Sequence, residues 1–191
     1  TYQRCKEQTI WLAWQDCLRT RLQDSEVHSM NTFKPIKGAY TRKFRPYSYA
    51  KNDGVAKDAV SGYLVNNGHT ILSTEEDYSF DIKSEKNGNT YYSEVEMKRQ
   101  WFGDWLPSWK EIRIPYRKFK LLNKFKEMKQ TDAFFNFYVI RGDMQCAWRI
   151  KDYQFTPETV QEIYLSNARR YEYFFHIPYQ EAELVQLKED K

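Results

Sequence analysis

The chain has 191 residues, enough for one domain or one domain with extensions. Its 30 Lys and Arg against 26 Asp and Glu leave a net charge of +4, which predicts neither a histone-like polyelectrolyte nor an acidic disordered tail. Aromatics make up 17% of it, while Gly (7) and Pro (6) are too scarce for a fibrous or low-complexity protein.

Residues 3–23 read as a helix, with Ile10, Trp11, Trp14, Cys17, Leu18 and Leu22 at three- and four-residue spacing. Residues 24–50 hold Pro35, Gly38 and Pro46 without a sustained period and read as an irregular connection. Asp53-Gly54 starts a helix over about 54–67, with Val55, Ala59, Val60, Tyr63 and Leu64 on one face and Asn67-Gly68 as its stop. Residues 69–72 form a short strand. Asn87-Gly88 then marks a two-residue hairpin. In that register Phe80 faces Val95, Ile82 faces Ser93 and Tyr78 faces Met97. On the other face Asp81 meets Glu94, Ser79 meets Glu96 and Asp77 meets Lys98.

Residues 101–112 read as an aromatic connection. Pro115 opens a helix over 115–129 that buries Phe119, Leu122 and Phe125 and leaves Lys118, Lys120, Lys124 and Lys129 outside. Residues 133–140 are a buried strand, turned by Arg141-Gly142-Asp143-Met144 into a second strand at 145–150. Thr156-Pro157-Glu158 predicts a helix start. Residues 171–177 predict a strand, with a short helix after Pro178.

No apolar window approaches the roughly 18 residues of a membrane span, and the first residues show no signal-peptide core. Three cysteines (Cys5, Cys17, Cys146) without a CxxC pair weigh against a disulfide framework and fit a reducing, cytoplasmic setting. His28, His69 and His176 are isolated, and His69 and His176 fall in apolar strand patterns as packed residues.

The small net charge averages two opposites. Residues 34–51 carry six basic side chains and no acidic one. Residues 97–130 carry ten basic and three acidic, against 14 basic and 23 acidic in the remainder. Basic tracts interleaved with aromatics on an acidic body suit a polyanion partner.

The second basic tract begins at a cluster of acids. Period-2 geometry puts Glu94, Glu96 and Lys98 on one strand face, with Asp81 on the same face of the neighbouring strand. Like charges opposed across a strand pair repel. A cation would relieve them, and oxygen donors suit Mg²⁺ or Mn²⁺. The plainer alternative is a solvent-facing hairpin with ordinary surface ion pairs.

With the helix at 54–68, the strand at 69–72, Asp81 in FDIK, EVEMK at 94–98, the helix at 115–129 and the strand at 134–140, residues 50–150 resemble the PD-(D/E)XK nuclease superfamily. Phe80 stands where the nominal motif has proline. The resemblance implies an α/β restriction-endonuclease-like core, a central mixed β-sheet flanked by helices, with N- and C-terminal extensions. On that division residues 1–50 are a helix and basic arm, 51–152 the core, and 153–191 an extension packed on it.

The resemblance further implies a Mg²⁺- or Mn²⁺-dependent endonuclease acting on duplex or branched DNA. Asp81 and Glu96 hold the ion, the Met97 carbonyl adds a ligand, and Lys98 orients or deprotonates the attacking water. The ideal register opposes Asp81 with Glu94, giving an E-x-E triplet. A bulge or longer turn restores Glu96-Met97-Lys98, the preferred arrangement, with Glu94 as the second candidate. Asp58 takes the place of the acid such folds often supply from the first core helix, or is a solvated side chain. Arg99, Trp101, Lys110, Arg113, Arg117, Lys118 and Lys120 are placed to meet phosphates or bases, and Arg42, Lys43 and Arg45 to track a backbone. Trp105 and Trp109 are expected to pack locally. The extensions are where a homodimer contact would form. The alternatives are a nucleic-acid-binding module that keeps the fold without cutting, and an assembly protein using its aromatics as an interface.

Overall fold

Helix α1 (Pro46–Asn66) begins eight residues before the expected start, with proline at its first position. It stops where expected. The His69 N–H returns to the Leu64 carbonyl at 3.0 Å and the Gly68 N–H to Val65 at 2.9 Å, a Schellman closure. Gly68 stands at φ +79°, which a side chain would disfavour.

The computed structural model describes residues 32–39, 46–74, 80–128 and 132–188. The helix expected over 3–23, the arm residues Arg42, Lys43 and Arg45, and the pairs made by residues 77–79 lie outside these. So do Cys5, Cys17 and His28. The chain divides into two compact units, Thr1–Thr32 and Phe33–Lys191, and the architecture that follows is the second.

After α1 come β1 (Thr70–Ser73), β2 (Ile82–Lys86) and β3 (Asn89–Lys98). They form an antiparallel meander closed by Asn87 and Gly88, both at positive φ. Ile82 pairs with Ser93 and Lys86 with Asn89, the expected register. The chain leaves this sheet for β4 (Glu111–Pro115) and, after a 3₁₀ turn at Tyr116–Lys118, helix α2 (Phe119–Glu127). It returns in β5 (Ala133–Arg141), parallel to β3 from Thr90↔Ala133 to Lys98↔Arg141. A parallel return needs such a crossover. β6 (Cys146–Lys151) follows antiparallel to β5. β7 (Val160–Leu165) and β8 (Arg170–Pro178) join β4 in a second sheet, and β9 (Glu183–Gln186) returns to pair with β6. The result is an α/β fold with a mixed sheet ordered β1-β2-β3-β5-β6-β9 and a three-stranded sheet ordered β4-β8-β7.

The large sheet buries both faces. α1 covers one with Ala56, Val60 and Leu64, against Ile82, Val95, Tyr138, Ile140 and Val185. The other packs Tyr92, Phe135, Phe137, Trp148 and Ile150 against Ile112 and Ile114 of β4, Phe119 and Leu122 of α2, and Phe175 and Ile177 of β8. Along β3 the two cores alternate, Tyr92 to one and Val95 to the other, as a period of two requires.

Several local expectations give way to this packing. Val55 is exposed. β4 occupies ground expected as connection, because Ile112 and Ile114 find Ile177 and Phe175 opposite them in β8. Instead of opening a helix, Pro115 ends β4. Thr156-Pro157-Glu158 yields one 3₁₀ turn, in which the Thr159 hydroxyl donates back to the Thr156 carbonyl. The helix expected after Pro178 is a 3₁₀ turn at Tyr179–Glu181. Residues 153–191 contribute strands to both sheets. Among the described residues no helix is long and apolar enough to cross a membrane.

Candidate functional site

The entrance to β2 departs from the ideal ladder. Ile82 is the partner of Ser93, yet the Asp81 N–H also reaches the Ser93 carbonyl, at 3.0 Å. Two residues thus oppose one, which is a β-bulge. Its extra residue lies on the β2 side, so it does not slide Asp81 along to Glu96; it re-aims the side chains. Phe80 turns to the Tyr92 face, with ring centroids 4.9 Å apart, instead of facing Val95. Asp81 lays its carboxylate against β3, where Oδ2 accepts the Val95 N–H at 2.7 Å. The carboxylate replaces a strand carbonyl, anchored between the positions of Glu94 and Glu96.

Glu94 is buried. Burial first, then the neighbouring Asp81 and Glu96 charges, raise its pKa to about 7 against the opposing pull of Lys118. The Lys118 ammonium donates to Glu94 Oε1. Lys118 sits at the end of the 3₁₀ turn, so the crossover chain brings a cation onto β3. Burial works to lower its pKa, but the carboxylates of Glu94, Glu96 and Asp81 outweigh it and raise it.

Asp81 has a cation of its own. Lys57 of α1, buried, sets Nζ 3.2 Å from Asp81 Oδ1. Asp58, the expected helix acid, is exposed beside it. The helix therefore turns its lysine, not its aspartate, toward the cluster. The signal was present in the spacing: Lys57, Val60 and Leu64 share one face at three- and four-residue steps. Lys118 and Leu122 are related in the same way, four residues apart. A lysine in phase with an apolar stripe is carried inward, its stem packed and its charge in need of a partner.

At the far end of β3, Lys98 is treated differently. Its ammonium lies 5.5 Å from the Trp105 ring centre and 5.2 Å from that of Trp109. Burial lowers its pKa; Glu96 opposes that and Arg113 adds to it. The rings are fixed by one another, Trp105 edge-on to Trp101, Trp109 and Trp148. The Trp105 indole N–H donates to the Trp109 carbonyl.

Of the expected substrate contacts, Arg99, Lys110, Arg113 and Lys120 are exposed and Arg117 is half-buried. Trp101 is not available to a base: it is buried and stacked on Trp148. Lys118, expected on the outer face of a helix, belongs to the carboxylate cluster. His69 and His176 pack as expected, His69 with Ser84 Oγ at 3.2 Å and His176 with Glu111 Oε2 at 2.6 Å. Cys146 is a buried free thiol.

Asp81, Glu94, Glu96, Lys57, Lys98 and Lys118 thus form a half-buried belt of alternating charge along one strand. Among the described residues no three His, Cys, Asp or Glu side chains gather closely enough to cage a metal alone. What the belt offers is oxygen donors, a fixed cation and a lysine whose neutral form is favoured by its surroundings. No protein-family model matches the chain, and no curated protein matches it.

Proposed function

We propose that the chain is a divalent-metal-dependent DNA endonuclease of the PD-(D/E)XK kind. The observation that carries this reading is the bulge that aims the Asp81 carboxylate at the Val95 N–H, between Glu94 and Glu96. The element order supports it: helix α1, the meander β1-β2-β3, a crossover containing α2, then β5 parallel to β3. The exposed cations Arg99, Lys110, Arg113 and Lys120 supply charge for phosphates.

The donor set fits Mg²⁺ or Mn²⁺. These ions take carboxylate oxygens and keep several waters, so one or two carboxylates plus substrate phosphate suffice without a protein cage. Asp81 together with Glu96 or Glu94 would hold the ion, and the Met97 carbonyl follows on the same strand. Bound there, such an ion would supply acidification of a water and neutralisation of charge on phosphate. The chain's own residues do the rest. Lys118 keeps a positive charge against the buried Glu94. Lys98, its charged form disfavoured by burial, orients or helps deprotonate the attacking water. Arg113 balances the scissile phosphate beside it.

A second reading has an observation in its favour. Asp81 and Glu94 each already hold a lysine, Lys57 and Lys118. A domain that binds nucleic acid without cutting it would need no metal and would keep those pairs. Incubation of duplex and branched DNA with the full chain in Mg²⁺, Mn²⁺ or EDTA separates the two. Metal-dependent cutting lost in Asp81→Asn supports the endonuclease. Retarded but uncut DNA in every metal supports the binding module.

A further inference from the structure

The tryptophans of the aromatic loop point inward, and the residue left outside is Phe102. It is 65% exposed, the most exposed large apolar side chain among the described residues. The ring lies against the backbone of Gly142. A Cβ on Gly142 would stand 2.7 Å from Phe102 Cζ and 2.9 Å from Cε1, so the tip of the ring rests on the glycine and a side chain there would push it away. The backbone on both sides is tied down. The Gly142 N–H donates to the Trp101 carbonyl at 2.8 Å, and Arg141 donates to the Gly103 carbonyl at 3.2 Å. Trp101, next in the chain, is stacked on Trp148.

The ring also has a defined place. Lys98 and Arg141 are the last paired residues of the parallel strands β3 and β5. The loop after Lys98 and the turn after Arg141 meet at the carboxyl end of that pair, where ligands of α/β sheets collect. Around Phe102 the loop exposes Arg99, Lys110 and, at its head, Leu106, with Asp104 its only acid.

An exposed aromatic ring on a loop that also exposes cations offers an unstacked base a face to stack on. We propose that Phe102 is a stacking post for an unpaired nucleobase, so that the DNA taken by this site is single-stranded or opened at a branch. This rests on the reading of the site as one that acts on DNA. The backbone that carries the ring is held on both sides before binding, and a phenyl ring has only two side-chain torsions to lose when the base arrives.

The test is binding by the full chain in EDTA, where cutting plays no part. Three fluorescent probes share one sequence: a single strand, a blunt duplex and a forked duplex. Wild type is expected to prefer the single strand or the fork. Phe102→Ala should lose about tenfold or more on whichever is preferred and nothing on the duplex, while Phe102→Trp should retain the affinity. A 2-aminopurine in the bound strand should be quenched by wild type and not by Phe102→Ala. Preference for the single strand places the base in free strands, and preference for the fork places it at branches. Equal affinity of Phe102→Ala and wild type, or equal losses on all three probes, overturns the proposal. Selective loss in a chain that never cuts DNA keeps Phe102's role and discards the endonuclease. Metal-dependent cutting with no effect of Phe102→Ala does the reverse.

Discussion

Lys118 and Lys98 stand at opposite ends of one row of carboxylates, and their surroundings push them apart. Lys118 lies among Glu94, Glu96 and Asp81, so its charge is held. Lys98 has Glu96 on one side but Trp105, Trp109 and Arg113 on the others, so its charge is disfavoured. Two identical side chains on neighbouring elements are thereby suited to different work. One is a permanent counter-charge that makes a buried acid tolerable. The other is the group whose hold on its proton burial weakens. The difference comes from what packs around each ammonium.

The sharpest way to break this comparison is at Lys98. If it handles the proton, Lys98→Ala should lower the cleavage rate by about 100-fold to 10,000-fold and leave DNA binding in EDTA unchanged. A variant that cuts at the wild-type rate would remove Lys98 from the chemistry.

Lys118 should fail in another way. Lys118→Met strands a buried carboxylate, and breaking a buried pair costs about 3–5 kcal/mol. The loss, read by denaturant unfolding, should be largest at pH 8 and shrink toward pH 5 as Glu94 takes up a proton. The double variant with Glu94→Gln should recover much of it. Equal losses in single and double variants would mean that the pair contributes nothing specific.

Glu94 itself should leave a pH signature. Its folded pKa, about 7, lies above the ordinary 4.5. Between those values the folded chain holds a proton that the unfolded chain has released, so raising the pH favours unfolding. Integrated over that window the effect is up to about 3 kcal/mol. Wild type should therefore lose stability from pH 4.5 to 7 relative to Glu94→Gln. Parallel curves for the two proteins would contradict the burial of this acid.

The smallest effect is expected at the indoles. Burial is the first cause of the low pKa of Lys98. Trp109→Ala should hydrate the ammonium and move that pKa back toward its ordinary value, while forfeiting about 1 kcal/mol of cation–π attraction. Slower labelling of Lys98 by an amine-reactive reagent at pH 9 would report the rise. Faster labelling would show that the rings, not the burial, set its proton affinity.

Much of the scaffold around this site was legible because it is local. Asn87-Gly88 dictates a tight turn, the alternation on either side agrees with it, and the register from Ile82↔Ser93 to Lys86↔Asn89 follows. The strands at 133–141, 146–151 and 170–178 announce themselves by composition. What was not legible depends on distant partners. β4 exists because Ile112 and Ile114 meet β8 more than 60 residues later. The bulge at Asp81 depends on a carboxylate finding the Val95 N–H across the strand pair, which no turn rule encodes. Lys57 and Lys118 were readable in principle, since each falls in phase with buried apolar residues; the outer-face placement of Lys118 and the focus on Asp58 passed over them. Trp101 is the converse, an aromatic in a basic tract whose use is the stack on Trp148.

The pairing of β4 with β8 also sets an order of events. Lys118 follows β4 by three residues, and β4 is held at one edge of a sheet whose central strand ends at Pro178. During synthesis the hairpin bearing Asp81 and Glu94 can close early, because its contacts are near in sequence. The strand that fixes β4 emerges some 60 residues later. Until then Glu94 has neither its anchored cation nor its full cover, and the cluster is incomplete. A ribosome-bound chain halted before Arg170 should thus hold a folded meander but no lysine fixed at Glu94, so that the cluster is completed only once β8 has emerged.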